Sequence, residues 1–231
     1  MTIGDETTNV DKTTIGRYAF GYCSSLTSVS IGNNVQTISR YAFENCAILS
    51  EVTLGSGVVT IENGAFVNCV KLEQIVITSS VTSIGYEAFR NCSGLNTVIL
   101  SEGLLSIGES AFNGCTSLKE ILIPSSVTSV GESSFNGCSF LKKVVIGNET
   151  VSVDKTTIGR YAFANCAALT DFTIGCNVNS IERYVFENCS SLQMVKFMGS
   201  VSSWNIIGKD GNWSRNSSIT SITCSDGSTS V

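Results

Sequence analysis

Eight of the ten cysteines stand three residues after a phenylalanine, at Phe20/Cys23, Phe43/Cys46, Phe66/Cys69, Phe89/Cys92, Phe112/Cys115, Phe135/Cys138, Phe163/Cys166 and Phe186/Cys189. A column of thiols invites disulfide or metal chemistry. Six of the seven steps between pairs are 23 residues, so in a stack of equivalent units the thiols would lie about 5 Å apart, the spacing of adjacent parallel strands. A disulfide tolerates that separation. The inward, apolar setting argues instead for reduced thiols acting as small core residues, since unpaired cysteine is among the most buried types. Cys176 and Cys224 are read as free as well.

Metal and nucleophilic chemistry find less support. Zinc sites favour clustered Cys and His, and the chain has no histidine and no Cys-x-x-Cys pair. The same absence removes the Ser-His and Cys-His arrangements and the commonest general base. Carboxylates remain. The position two after a recurring leucine forms the column Ser28, Glu51, Gln74, Thr97, Glu120, Lys143, Asp171 and Met194. Glu51 and Glu120 would be three units apart, about 14 Å at strand spacing, wider than the roughly 5 to 10 Å used by glycosidases. Glu120 and Asp171 flank Lys143 and are expected to make charge contacts with it. No catalytic residue, cofactor or metal is assigned, and the chain is read as a non-enzyme.

The elements that hold these residues follow from the period. Units of this size are too small to bury an apolar face alone and are stable only against their neighbours. Each reads Leu-x-x-Val-x-Ile, a variable stretch, Val-x-x-Ile, then Ala-Phe and Cys, as in Leu72 to Ile77 followed by Val81, Ile84, Ala88, Phe89 and Cys92. The alternating first segment predicts a short strand. Ile84, Ala88, Phe89 and Cys92 fall on one face of a short helix, giving strand, turn and helical return. The residue before each Cys is Asn or Gly except at Tyr22, which predicts a left-handed residue there and strain or local rearrangement at Tyr22. Arg17-Tyr18, Arg40-Tyr41, Arg160-Tyr161 and Arg183-Tyr184 are read as covering the convex core and stacking on one another.

A longer repeat overlies the short one. Val10 to Phe20 returns identically as Val153 to Phe163, and at the same offset Ile3 to Thr7 matches Ile146 to Thr150 with one change. The chain is therefore expected to begin inside a repeat, as a fragment of a longer protein. No segment approaches the roughly 20 apolar residues of a membrane span, and the first residues lack the pattern of a signal peptide. A net charge of −5 from scattered acids offers no footprint for nucleic acid or anionic membranes.

The pattern resembles the BspA-like class of leucine-rich repeats, found mainly in bacterial surface proteins. Ser125 to Gly131 and Phe135 to Leu141 carry the consensus closely. Ser134 and Val185 replace its Ala, and five extra residues around Asn148 to Val153 should bulge from an edge or lengthen a turn. The resemblance implies an α/β repeat: a curved, right-handed leucine-rich-repeat solenoid with a parallel sheet on its concave face and short helical turns opposite. Residues 1–201 would form the array of about eight units, and 202–231, with Trp204 and Trp213, a terminal cap.

Two outward columns of the strand would then face the concavity. Val76, Ile99, Leu122 and Val145 form an apolar run, and contiguous exposed apolar surface often marks an interaction site; β-branched residues also simply suit a sheet. Glu51, Gln74, Thr97, Glu120 and Lys143 run alongside and could supply selectivity. The expected function is a protein-binding or adhesion module of a secreted or cell-surface protein, with host extracellular-matrix or cell-surface proteins as candidate partners. A structural spacer and, remotely, a carbohydrate-processing enzyme are the alternatives.

Overall fold

The computed structural model describes residues 1–5, 12–150 and 155–231. The chain winds as a parallel β-solenoid of about nine turns with almost no helix. Most turns contribute a four-residue strand, as at Gln74–Ile77 and Thr97–Leu100, and a second strand that is usually shorter, as at Ser83–Ile84 and Ser106–Ile107. In the longer strands alternate side chains point inward, so Ile75 and Ile77 are buried while Gln74 and Val76 face out. Strands pair in register with the same position of the next unit: Val76 opposes Ile99 and Ser83 opposes Ser106.

The short strands form a sheet of their own, nine strands from Thr13–Ile15 to Gly208–Lys209. This corrects the helical return expected from Ile84, Ala88, Phe89 and Cys92. Ile84 ends a strand, and the chain from Gly85 to Leu95 runs through successive turns. The reason lies in the hydrogen bonds. Ala88, Arg90 and Cys92 donate their N–H groups back three residues, to Gly85, Glu87 and Phe89. Between them Glu87, Phe89 and Asn91 donate to Glu109, Ala111 and Asn113 of the next rung. An α-helix needs every N–H for the carbonyl four residues back, and here every second one is committed to a neighbour.

Two left-handed residues per rung make this alternation possible. Those two after Phe include Asn45, Asn68, Asn91 and Gly114, as the sequence predicts, with Tyr22 held there at φ 60°. The second set, two before Phe, includes Tyr18, Tyr41, Glu87, Ser110 and Tyr184, residue types that do not advertise a positive φ. Only one helix is found among the described residues, Val201–Ile206, N-capped by Ser200.

Stacking at a fixed register places like on like. The Phe rings from Phe20 to Phe163 stack at 5.1 to 5.2 Å between centroids, nearly parallel. Phe163 and Phe186 are farther apart, 6.4 Å, because Phe172 packs edge-on against both rings at 5.0 and 4.6 Å. Beyond Phe186 the ring of Trp213 continues the column at 5.8 Å, and Trp204 packs against Trp213 and Phe197. Along the turn edge Asn68 donates its amide to Asn45, Asn91 to Asn68, and Asn188 to Asn165, at 2.9 to 3.0 Å. Where Gly137 replaces the ladder residue, Asn165 reaches Asn136 instead, at 3.0 Å.

The expected bulge at Asn148 to Val153 falls partly outside the described residues, but its anchorage is visible. Buried Asn177 donates to Thr156 Oγ1 at 2.8 Å, and that hydroxyl donates to Val127 O at 2.6 Å. Gly147, at φ 70°, lies against Asn177, where any Cβ would collide with the amide. The earlier copy places Gly4, Thr13 and Asn34 at the equivalent positions but bonds them differently: Asn34 Oδ1 accepts the Asp5 N–H at 2.9 Å, and the Thr13 hydroxyl donates to the Asn34 carbonyl at 3.5 Å.

Two substitutions test this account by urea denaturation. Phe112→Ala removes a fully buried ring from two stacks and should cost about 3 to 5 kcal/mol. Asn91→Gly should cost less than Asn91→Ala, because glycine keeps the left-handed backbone at no steric expense; equal losses would mean that the amide ladder alone matters there.

Candidate functional site

The thiol column is part of the core. All ten cysteines are free, and all but Cys23 and Cys176 are buried. From Cys46 onward each repeat thiol points at the carbonyl of the Phe one rung earlier: Cys46 to Phe20 and Cys69 to Phe43 at 3.1 Å, Cys92 to Phe66 at 3.2 Å, Cys115 to Phe89 at 3.3 Å. Burial pushes Cys92 and Cys138 up to about 12, and holds Cys69, Cys115 and Cys166 well above the ordinary thiol range. A protonated, buried sulfhydryl donating to a carbonyl is neither nucleophile nor metal ligand. Among the described residues no group of three or more Cys, Asp and Glu side chains is placed to hold a metal ion, and no helix is long and apolar enough to cross a membrane.

The Arg-Tyr pairs lie on the turn segments. Tyr18 stacks on Tyr41 at 5.1 Å and Tyr161 on Tyr184 at 5.0 Å, with Arg17 and Arg160 over the adjoining rings. Rings that cover one another in this way present their edges rather than a free face.

The outward face of the longer strands is different. Val76, Ile99 and Leu122 are 46%, 51% and 56% exposed, and Val145 is half-buried. Val76 opposes Ile99 and Leu122 opposes Val145, so the four make one file along the stack. It is polar at both ends, where Ser30, Thr53, Thr173 and Lys196 hold the equivalent places. Glu51, Gln74, Thr97, Glu120 and Lys143 are exposed in the neighbouring file. Lys143 stands between Glu120 and Asp171 in register, yet the ion pair formed within 4 Å is that of Asp171 with Lys196, at 3.7 Å.

The face is not one continuous sheet. Among the described residues the longer strands divide into a five-stranded group ending at Thr97–Leu100 and a six-stranded group beginning at Glu120–Ile123. Chemistry contributes to this seam. Ser101 and Gly147 follow their strands and donate to Ile77 and Ile123 at 3.1 and 2.9 Å, but Pro124 occupies the same place and has no N–H to give. A cleft of about 600 Å³ lies over the seam, lined by Asn96, Thr97, Ile99, Lys119, Glu120 and Leu122 together with Lys142 and Lys143. It gathers five of the residues expected from sequence and leaves Glu51, Gln74, Val76 and Val145 outside its lining.

Lys119, Lys142 and Asn96 were not expected. They share the position directly after the repeat leucine, a column the alternation of the strand does not mark. The signal available was the recurrence of Lys119 as Lys142 one period later, beside the doublet Lys142-Lys143.

Buried thiols with raised pKa make a pH prediction. In the unfolded chain they ionise near 8.5, whereas the folded state keeps them protonated, so alkali draws protons only from the unfolded form. Stability should fall from about pH 8.5 upward, by as much as about 1.4 kcal/mol per pH unit for each buried thiol. Thiol labelling of the native protein near neutral pH should reach Cys23 and Cys176 first; rapid labelling of all ten would refute the buried column.

Two stretches of the chain, residues 13–142 and 105–231, match the family model described as BspA type leucine rich repeat region, with six copies. No curated protein matches. Among solved structures, a leucine rich repeat protein of T. pallidum is 25% identical, with 83% of this chain and 76% of that one covered and a TM-score of 0.54. The pneumococcal vaccine antigen PcpA is 17% identical over 99% of this chain and 78% of its own, with a TM-score of 0.50, a likeness of fold.

Proposed function

The chain belongs to the BspA-type leucine-rich repeat family, and from that premise we propose that it is a protein-binding module of a secreted or cell-surface protein, taking its ligand on the outward face of the longer strands. The observation that carries this reading is the apolar file Val76, Ile99, Leu122 and Val145, facing outward in the middle of the stack, with the first three about half exposed, and polar at both ends. A sheet that merely favoured β-branched residues would be served by threonine along the whole file, as at Thr53 and Thr173; what the central rungs add is apolarity. Leu122, the most exposed of the four, is not β-branched at all.

Glu51, Gln74, Thr97, Glu120 and Lys143 border that file and are proposed to select among ligands. Host extracellular-matrix and cell-surface proteins are the partners proposed for test. Solenoids of this kind bind through extended surfaces rather than pockets. Residues 202–231 are proposed as a capping element, supported by Trp213 on Phe186 and Trp204 beside it.

Ile99→Asp combined with Leu122→Asp tests the surface. Both side chains are about half exposed, so thermal unfolding should move little, within about 0.5 kcal/mol per site. Binding to whichever member of an immobilised extracellular-matrix panel the wild type captures should be lost. Unchanged capture would reject the face. A wild-type chain that shows no saturable binding to any member would favour a spacer.

A further inference from the structure

The seam cleft carries a charge that neither the fold nor the composition explains. Three of the chain's eight lysines, Lys119, Lys142 and Lys143, line it against one acid, Glu120, in a protein of net charge −5. Lys119 and Lys142 occupy the same position on adjacent rungs, the Lys142 N–H donating to Lys119 O at 2.8 Å. Like charges at the same position of adjacent rungs repel one another. The repeat does not call for them, since the same position holds Thr27, Ser50, Glu73, Asn96, Thr170 and Gln193 elsewhere. Nor are they neutralised: the ion pairs within 4 Å among the described residues involve other side chains.

We propose that this cleft docks an acidic peptide segment bearing aliphatic side chains, with Lys119, Lys142 and Lys143 meeting its carboxylates and Ile99 and Leu122 receiving its apolar groups. The proposal rests on the reading of the longer-strand face as the binding surface and names what that surface selects. The apolar residues decide the class of ligand. A sulfated saccharide would engage the ammonium groups but leave Ile99 and Leu122 uncovered, at a cost in affinity that a leucine-bearing acidic peptide avoids. Phe140, 62% exposed, shares a neighbouring hollow with Asn96 and Lys119 and extends the apolar part of the surface.

The test uses fluorescence anisotropy with three probes: a labelled peptide of alternating Glu and Leu, its counterpart with Lys in place of Glu, and a heparin-derived oligosaccharide. The Glu-Leu peptide should bind, the Lys-Leu peptide should not. Affinity for the former should fall about tenfold in Lys119→Gln/Lys142→Gln/Lys143→Gln, and similarly between about 50 and about 300 mM NaCl. That triple variant should melt no lower than wild type, because it relieves a stacked pair of like charges. Equal binding of both peptides overturns the proposal, as does binding of the oligosaccharide alone. A partner captured by the triple variant but lost by Ile99→Asp/Leu122→Asp would reject acidic recognition and keep the binding face. Retention by both variants would reject the two together.

Discussion

Each turn segment leaves half of its backbone donors for the rung beside it, and most of the structure follows from that. Glu87, Phe89 and Asn91 cannot be satisfied within their own unit, and an unpaired buried N–H is costly. The only chain with carbonyls at the right places is another copy of the same turn, held in register. Register then dictates that each side chain meets its own kind. Phenylalanine tolerates this as an offset stack, and asparagine does so through an amide ladder. Cysteine succeeds for a subtler reason. The Phe43 carbonyl already accepts the N–H of Cys46 at 3.3 Å, and its remaining lone pair faces the next rung, where Cys69 arrives. The place asks for a small side chain with a weak donor, and no reactive role is needed to account for it.

What could be read from the sequence was whatever the register repeats. Phe and Cys recur without exception, so the stack and the buried thiols were legible, and Asn or Gly before Cys announced a left-handed residue. The second short-strand sheet was not legible. Turns that bury a side chain every three or four residues imitate helical spacing, and only the allocation of N–H groups tells them apart. The left-handed position before Phe was equally silent, because Tyr, Glu and Ser occupy it and none of them signals φ near +55°. At the candidate site the apolar file could be placed from strand alternation. Lys119, Lys142 and the seam could not, since the seam depends on how two adjacent strands sit and only Pro124 hints at it.

The informative places are therefore those where like does not meet like. Phe172 stands where Ile121 and Val144 precede it and Val195 follows, and the Phe stack opens to admit it. The proline after Glu120–Ile123 interrupts a bond made by its neighbours. The lysine pair beside it accepts repulsion that threonine, serine or asparagine avoids at the same position. A fold built by repetition hides function in its uniform positions and shows it in its irregular ones.

The paired anchors at Asn34 and Asn177 bear on how such a protein changes over generations. Because Val10 to Phe20 is identical to Val153 to Phe163, recombination between the two would delete or duplicate the whole block that separates them and leave a joint whose sequence already exists in the chain. Among the described residues, the rung-to-rung contacts at that joint would also be of a kind already made. Length can thus vary in whole blocks without new interfaces having to evolve. The reach of the molecule is an inherited variable set by copy number, while the handful of irregular rungs carried within a block travels with it unchanged.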